Sequence, residues 1–125
     1  MKPSKVGLEV LDQLRGKLSD QTFWDIIKAA KGEAKGLKKF LKGQPTWLLR
    51  AFNNKFAEKW AAYCDKGMLG SDSSDYAAFY TISRGKKVYE YYLKHPEQFD
   101  SCIGDNEMYS YVVMDLLEER GEDNE

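Results

Sequence analysis

Leu48, Phe52, Phe56 and Trp60 stand four residues apart, and Tyr63 follows three residues later. Apolar side chains at that interval form the buried stripe of an α-helix. Gln44-Pro45-Thr46 opens this helix, since a proline in the first turn lacks only an N–H that would have no helical partner. Gly67 suits the position just past its end. Fully burying each such side chain contributes about 2–3 kcal/mol, so the stripe is expected to be the spine of the core.

The remainder also reads as helix. No segment alternates apolar and polar residues for long, and no Asn-Gly or Asp-Gly pair marks a hairpin. A first helix is expected over residues 7–18, with Gly7, Leu11, Leu14 and Leu18 on one stripe. Ser19 or Asp20 caps a second, DQTFWDIIKAAKG, which buries Phe23, Ile26, Ile27 and Ala30. Gly32 and Gly36 each weaken a helix by about 1 kcal/mol against alanine, so a break is expected in KGEAKG before helix resumes through GLKKFLKG. SSDYAAFYTISRG follows, a short helix carrying Tyr76, Phe79, Tyr80 and Ile82 and interrupted by Gly85. KKVYEYYLKH comes next, with Val88, Tyr92 and Leu93 inward, and ends before Pro96. NEMYSYVVMDLLEER closes the series, capped by Asn106 and burying Tyr109, Val112, Val113 and Leu116.

The expected fold is all-α, a compact single-domain bundle of about six helices over residues 1–120, with residues 121–125 an acidic, disordered tail. A chain of 125 residues is one domain on length and can bury one modest core. No apolar run approaches the roughly 18 residues of a membrane span, and the first residues lack the apolar core and cleavage site of a secretory signal. Cys64 and Cys102 are far apart and form no CxxC pair, which fits a reducing compartment. A cytoplasmic protein without membrane contact is expected.

The net charge of −1 conceals an asymmetry. Residues 1–60 carry 13 Lys/Arg against 6 Asp/Glu, while residues 61–125 carry 6 against 14, so the halves hold +7 and −8. The halves either neutralise each other in the fold or leave a dipolar surface that permits head-to-tail self-association.

Three clusters are candidates for binding. In Gly70-Ser71-Asp72-Ser73-Ser74-Asp75, Ser71, Asp72 and Asp75 either cap the helix that follows or hold a ligand; a calcium loop would need more oxygen donors at fixed spacing. Lys28, Lys31, Lys35, Lys38, Lys39 and Lys42 form one basic face if their region is a single helix. That face is solvated, tracks phosphates or meets an acidic protein partner, and no zinc or helix-turn-helix signature accompanies it. Tyr89, Tyr91 and Tyr92 crowd one short helix, and surplus surface tyrosine suits an interface. His95 is the only imidazole and sits at a helix end, a structural position. Phosphate-loop, GxGxxG and HExxH motifs are missing. No cofactor, metal site or catalytic residue is expected.

The order of several short motifs resembles a bacterial family known as domain of unknown function 4240. They are Phe23-Trp24-Asp25-Ile26-Ile27, Trp60-Ala61-Ala62-Tyr63, Gly70-Ser71-Asp72, Ile82-Ser83-Arg84-Gly85, Val88-Tyr89-Glu90, Pro96-Glu97 and Asn106-Glu107. The resemblance spans roughly residues 20–120. The chain departs from the family at Ser73, where a second Asp is usual, and at Tyr80, the nearest substitute for a Trp that follows an Arg in the family. The resemblance implies a soluble bacterial protein of the cytosol and brings no activity.

The leading functional expectation is a non-catalytic helical module that binds a protein or a second copy of itself, with an immunity-like role as one form. Its surface would join the Ser71–Asp75 turn to the Tyr89–Tyr92 helix. One alternative is a nucleic-acid-associated protein using the lysine face; another is small-molecule binding at the Ser71–Asp75 turn.

Overall fold

The computed structural model describes residues 17–121, which contain six α-helices, one 3-10 turn and no strand. The helices are α1 (Asp20–Ala30), α2 (Ala34–Lys42), α3 (Thr46–Asp65), α4 (Asp72–Ser83), α5 (Lys86–Lys94) and α6 (Glu107–Glu119), with the 3-10 turn at Pro96–Gln98. The expected all-α bundle is the observed one. The helix expected over residues 7–18 falls, through residue 16, outside the described residues, as do residues 122–125. Lys17–Ser19 are not helical, and Leu18 is buried.

Ser19 caps α1, its hydroxyl accepting from the Thr22 N–H at 3.1 Å. Phe23, Ile26, Ile27 and Ala30 are buried as the spacing requires, together with Trp24. The expected break falls at Lys31 and Gly32, both with positive φ (55° and 79°). The chain then doubles back so closely that a Cβ on Gly36 would collide with the Ala30 carbonyl oxygen. The glycine that weakens the helix locally is therefore what lets α2 pack against the end of α1.

The spine of α3 forms as expected, with Leu48, Phe52, Phe56 and Tyr63 buried. Phe52 stacks on Phe23 of α1 at 5.0 Å, and Phe56 lies 5.9 Å from Tyr109 of α6. Trp60 differs: it is half-buried, and its indole N–H donates to Asp75 Oδ1 at 3.3 Å. The Tyr63 hydroxyl lies 2.9 Å from Thr81 Oγ1 and donates to the Tyr89 carbonyl at 3.0 Å, tying α3 to α4 and α5.

Of the residues named on the next two helices, only Ile82 is fully buried. In α4 the buried set is Ser74, Ala77, Ala78, Thr81, Ile82 and Ser83, while Tyr76, Phe79 and Tyr80 are half-buried. Small side chains bring α4 close to its neighbours, and the rings stand at the edges of that contact. In α5 the buried residue is Tyr89, with Val88, Tyr92 and Leu93 half-buried. The α6 core face is as expected, with Leu117 added.

Asn106 holds the N-cap position of α6, as expected, but its side chain does not bond to the helix start. Asp105 Oδ1 accepts from the Glu107 N–H at 3.0 Å, while Asn106 Nδ2 donates to the Gly32 carbonyl (3.0 Å) and Ser83 Oγ (2.9 Å). These bonds hold the start of α6 against the α1–α2 turn and the end of α4. At its other end, Arg120 donates to the carbonyls of Lys42 (3.0 Å) and Gln44 (2.7 Å), while Lys38 pairs with Glu119 at 2.7 Å.

Candidate functional site

The Ser71–Asp75 segment is a helix start. Ser71 Oγ accepts from the Ser74 N–H at 3.2 Å, and Ser74 Oγ accepts from the Ser71 N–H at 3.0 Å, a reciprocal capping box. Asp75 is engaged by Trp60. Asp72 stays exposed in the first turn, where a carboxylate suits the helix dipole.

The three candidate tyrosines separate. Tyr89 is a core residue: it stacks on Tyr63 at 5.0 Å, lies 5.4 Å from Trp24, and donates to the Lys59 carbonyl at 2.8 Å. Burial pushes its phenol up to about 12. Tyr92 is half-buried and edge-on to Phe99. Tyr91 is exposed and flanked by Tyr92 and His95.

A more extensive apolar surface lies on α6, and the sequence reading did not single it out. Met108, Tyr111 and Met114 are 62%, 41% and 46% exposed, three of the four exposed large apolar side chains among the described residues. They recur every three residues on the side facing away from the buried stripe. Carboxylates surround them. Tyr111 donates to Glu107 Oε2 at 2.8 Å, a bond that raises the phenol above its ordinary value. Partial burial, then the charges of Glu107 and Asp72, raise Tyr76 likewise. Asp72 is thus grouped with Tyr76, Glu107 and Tyr111. Farther along α6, Asp115, Glu118 and Glu119 border a shallow depression of about 390 Å³. The signal was present in the sequence as the complement of the Tyr109–Leu116 core stripe, where a solvated helix face carries few apolar residues.

The six lysines do not form one row, because the turn at Lys31–Glu33 divides them between α1 and α2. Lys35, Lys38, Lys39 and Lys42 stay on α2, where Lys38 is paired with Glu119. Lys28 and Lys31 instead line a groove of about 690 Å³ with Arg84, Lys86 and Lys87 from the α4–α5 junction. Trp24 and Ile27 give the groove an apolar wall. The Arg84 guanidinium sits 5.7 Å from the Tyr80 ring centre and presses on Gly32, where a Cβ would stand 2.7 Å from its Nη1. None of these five cations pairs with a carboxylate among the described residues, whereas Lys55 and Lys59 both reach Asp20 at 3.0 Å. The one carboxylate on the groove, Asp25, accepts from Gln21 Nε2 at 2.9 Å.

Among the described residues no three His, Cys, Asp or Glu side chains gather as a metal site. Cys64 and Cys102 are free and exposed, and His95 lies 3.5 Å from Glu97 at the surface. No described helix is long and apolar enough to cross a membrane. Compared with protein-family models, curated proteins and solved structures, the chain matches none.

Proposed function

We propose that this chain is a non-catalytic binding module of the cytoplasm, and that the outer face of α6 docks a basic protein segment. The observation that carries this reading is the exposed Met108–Tyr111–Met114 stripe within a border of carboxylates. Apolar side chains on a solvent-facing helix lose nothing by being covered, and methionine and tyrosine adapt to a partner surface. The surrounding charge selects the occupant: Asp72, Glu107, Asp115 and Glu118 attract a cationic segment and repel an acidic one. An immunity-like role, in which an acidic face neutralises a basic protein, is the concrete form of this proposal. Membership of the domain of unknown function 4240 family belongs to the same proposal, supported by the order of the motifs.

The test places a photo-crosslinking residue at Tyr111 and, as a control, at the exposed Lys66. A basic protein captured from host lysate at Tyr111 alone is then purified and titrated. Substituting Met108, Tyr111 and Met114 together with serine is expected to weaken its binding roughly tenfold or more, since a few central side chains carry most interface energy. Unchanged affinity sinks the reading. A dimer in sedimentation that the triple variant abolishes reassigns the face to a second copy.

A further inference from the structure

We propose that the groove between the end of α1 and the α4–α5 junction is a second binding site, and that it takes a small multivalent anion of the phosphate class. Five cations from three places in the chain converge on it: Lys28 and Lys31 from the end of α1, Arg84 from the junction, and Lys86 and Lys87 from the first turn of α5. Like charges so gathered repel one another and are stabilised by an anion between them. Elsewhere on this molecule lysines in such proximity to carboxylates are paired, as at Asp20 and Glu119. Here none of the five cations forms an ion pair with a described carboxylate, and Asp25, the one carboxylate on the groove, is bonded to Gln21.

The construction favours phosphate. The exposed Arg84 guanidinium rests near the Tyr80 ring on one side and the bare backbone of Gly32 on another, and its planar fork matches phosphate oxygens. Lysines at the rim supply point charges that adapt to the remaining oxygens. α5 starts at Gly85 with no side-chain cap and with lysines where acidic residues are favoured, so its first turn adds unclaimed N–H donors to the same field. The volume of about 690 Å³ is that of a small-ligand pocket, and Trp24 and Ile27 offer apolar surface to whatever organic group carries the phosphate. This site lies on different residues from the α6 face, so either proposal can fail without the other.

Inorganic tripolyphosphate is the probe, titrated by calorimetry and by amide NMR. The expected result is saturable one-to-one binding, with shifts concentrated at Gly32 and Arg84–Lys87. Lys86→Glu/Lys87→Glu is expected to weaken it roughly tenfold or more. Lys35→Glu/Lys39→Glu, an equal charge change on α2, is expected to stay within about twofold. Lys28→Gln, on another element, gives an independent reading if the junction variant fails to fold. Equal weakening by both double variants overturns the site, because it shows attraction to total charge alone. So does a single-stranded oligonucleotide that binds more tightly than tripolyphosphate and shifts the α2 lysines, which would establish a nucleic-acid surface instead.

Discussion

Tyr63 and Tyr109 are both fully buried phenols on neighbouring helices, yet their hydroxyls are in opposite situations. Tyr63 bonds to Thr81 and to the Tyr89 carbonyl, while the Tyr109 hydroxyl has no hydrogen-bond partner among the described residues. Removing a paired buried hydroxyl strands its partners; removing an unpaired one relieves a desolvated group. Tyr63→Phe is therefore expected to lower stability by about 1–2 kcal/mol, and Tyr109→Phe to leave it unchanged or raise it by up to about 1 kcal/mol. Urea denaturation of the two variants beside the wild type checks the contrast; equal losses would contradict it. The same contrast marks a boundary of sequence reading. Tyr109 is placed in the core by helical spacing alone, but which phenol finds a partner depends on Thr81 and Tyr89, residues brought to Tyr63 by other helices.

At the scale of an element, helix propensity and packing disagree at Gly36. Alanine there would favour α2 by about 1 kcal/mol if the helix stood alone. In the bundle its Cβ meets the Ala30 carbonyl, and backbone cannot move aside as a side chain can. Gly36→Ala is expected to destabilise by about 1–3 kcal/mol, the range for overpacking. Gly43→Ala, which points into open space, is expected to stay within about 0.5 kcal/mol. Thermal or urea unfolding distinguishes them, and a stabilising Gly36→Ala would show that α2 sits farther from α1 than described. The break before α2 was legible because two glycines, Gly32 and Gly36, announce it. The residues that α4 and α5 bury were not, because short helices with rings on several faces offer no single dominant stripe. Tertiary contact chose Ala77, Ala78 and Tyr89 over the larger set.

For the molecule as a whole, burial raises the phenols of Tyr63, Tyr89 and Tyr109 above the ordinary tyrosine value of 10.0, with Tyr89 reaching about 12. A raised folded-state value means the unfolded chain loses its proton first. Stability from these groups is intact below about pH 10 and is lost as pH rises toward the folded values. The midpoint of urea unfolding is expected to hold steady from about pH 7 to 9 and to fall steeply between about pH 10 and 12. A flat profile through that window would mean the phenols ionise freely in the folded protein. At this scale the division of charge between the two halves of the sequence does not carry over: three of the five groove cations, Arg84, Lys86 and Lys87, come from the net-acidic half, while the carboxylates of that half line the outer face of α6.

Local information in the sequence determined the helical class, the α3 spine, the caps at Ser19 and Ser71 and the buried face of α6. Each follows from a 3.6-residue period or from a side chain bonding to backbone three residues away. Tertiary structure alone decided that Lys28 and Lys31 face Arg84, Lys86 and Lys87, that Asp72 and Tyr76 of α4 meet Glu107 and Tyr111 of α6, and that Tyr89 lies inside. Those partners are distant along the chain, and they meet through contacts between helices: Asn106 bonds to Gly32 and Ser83, and Tyr89 packs on Tyr63 and Trp24.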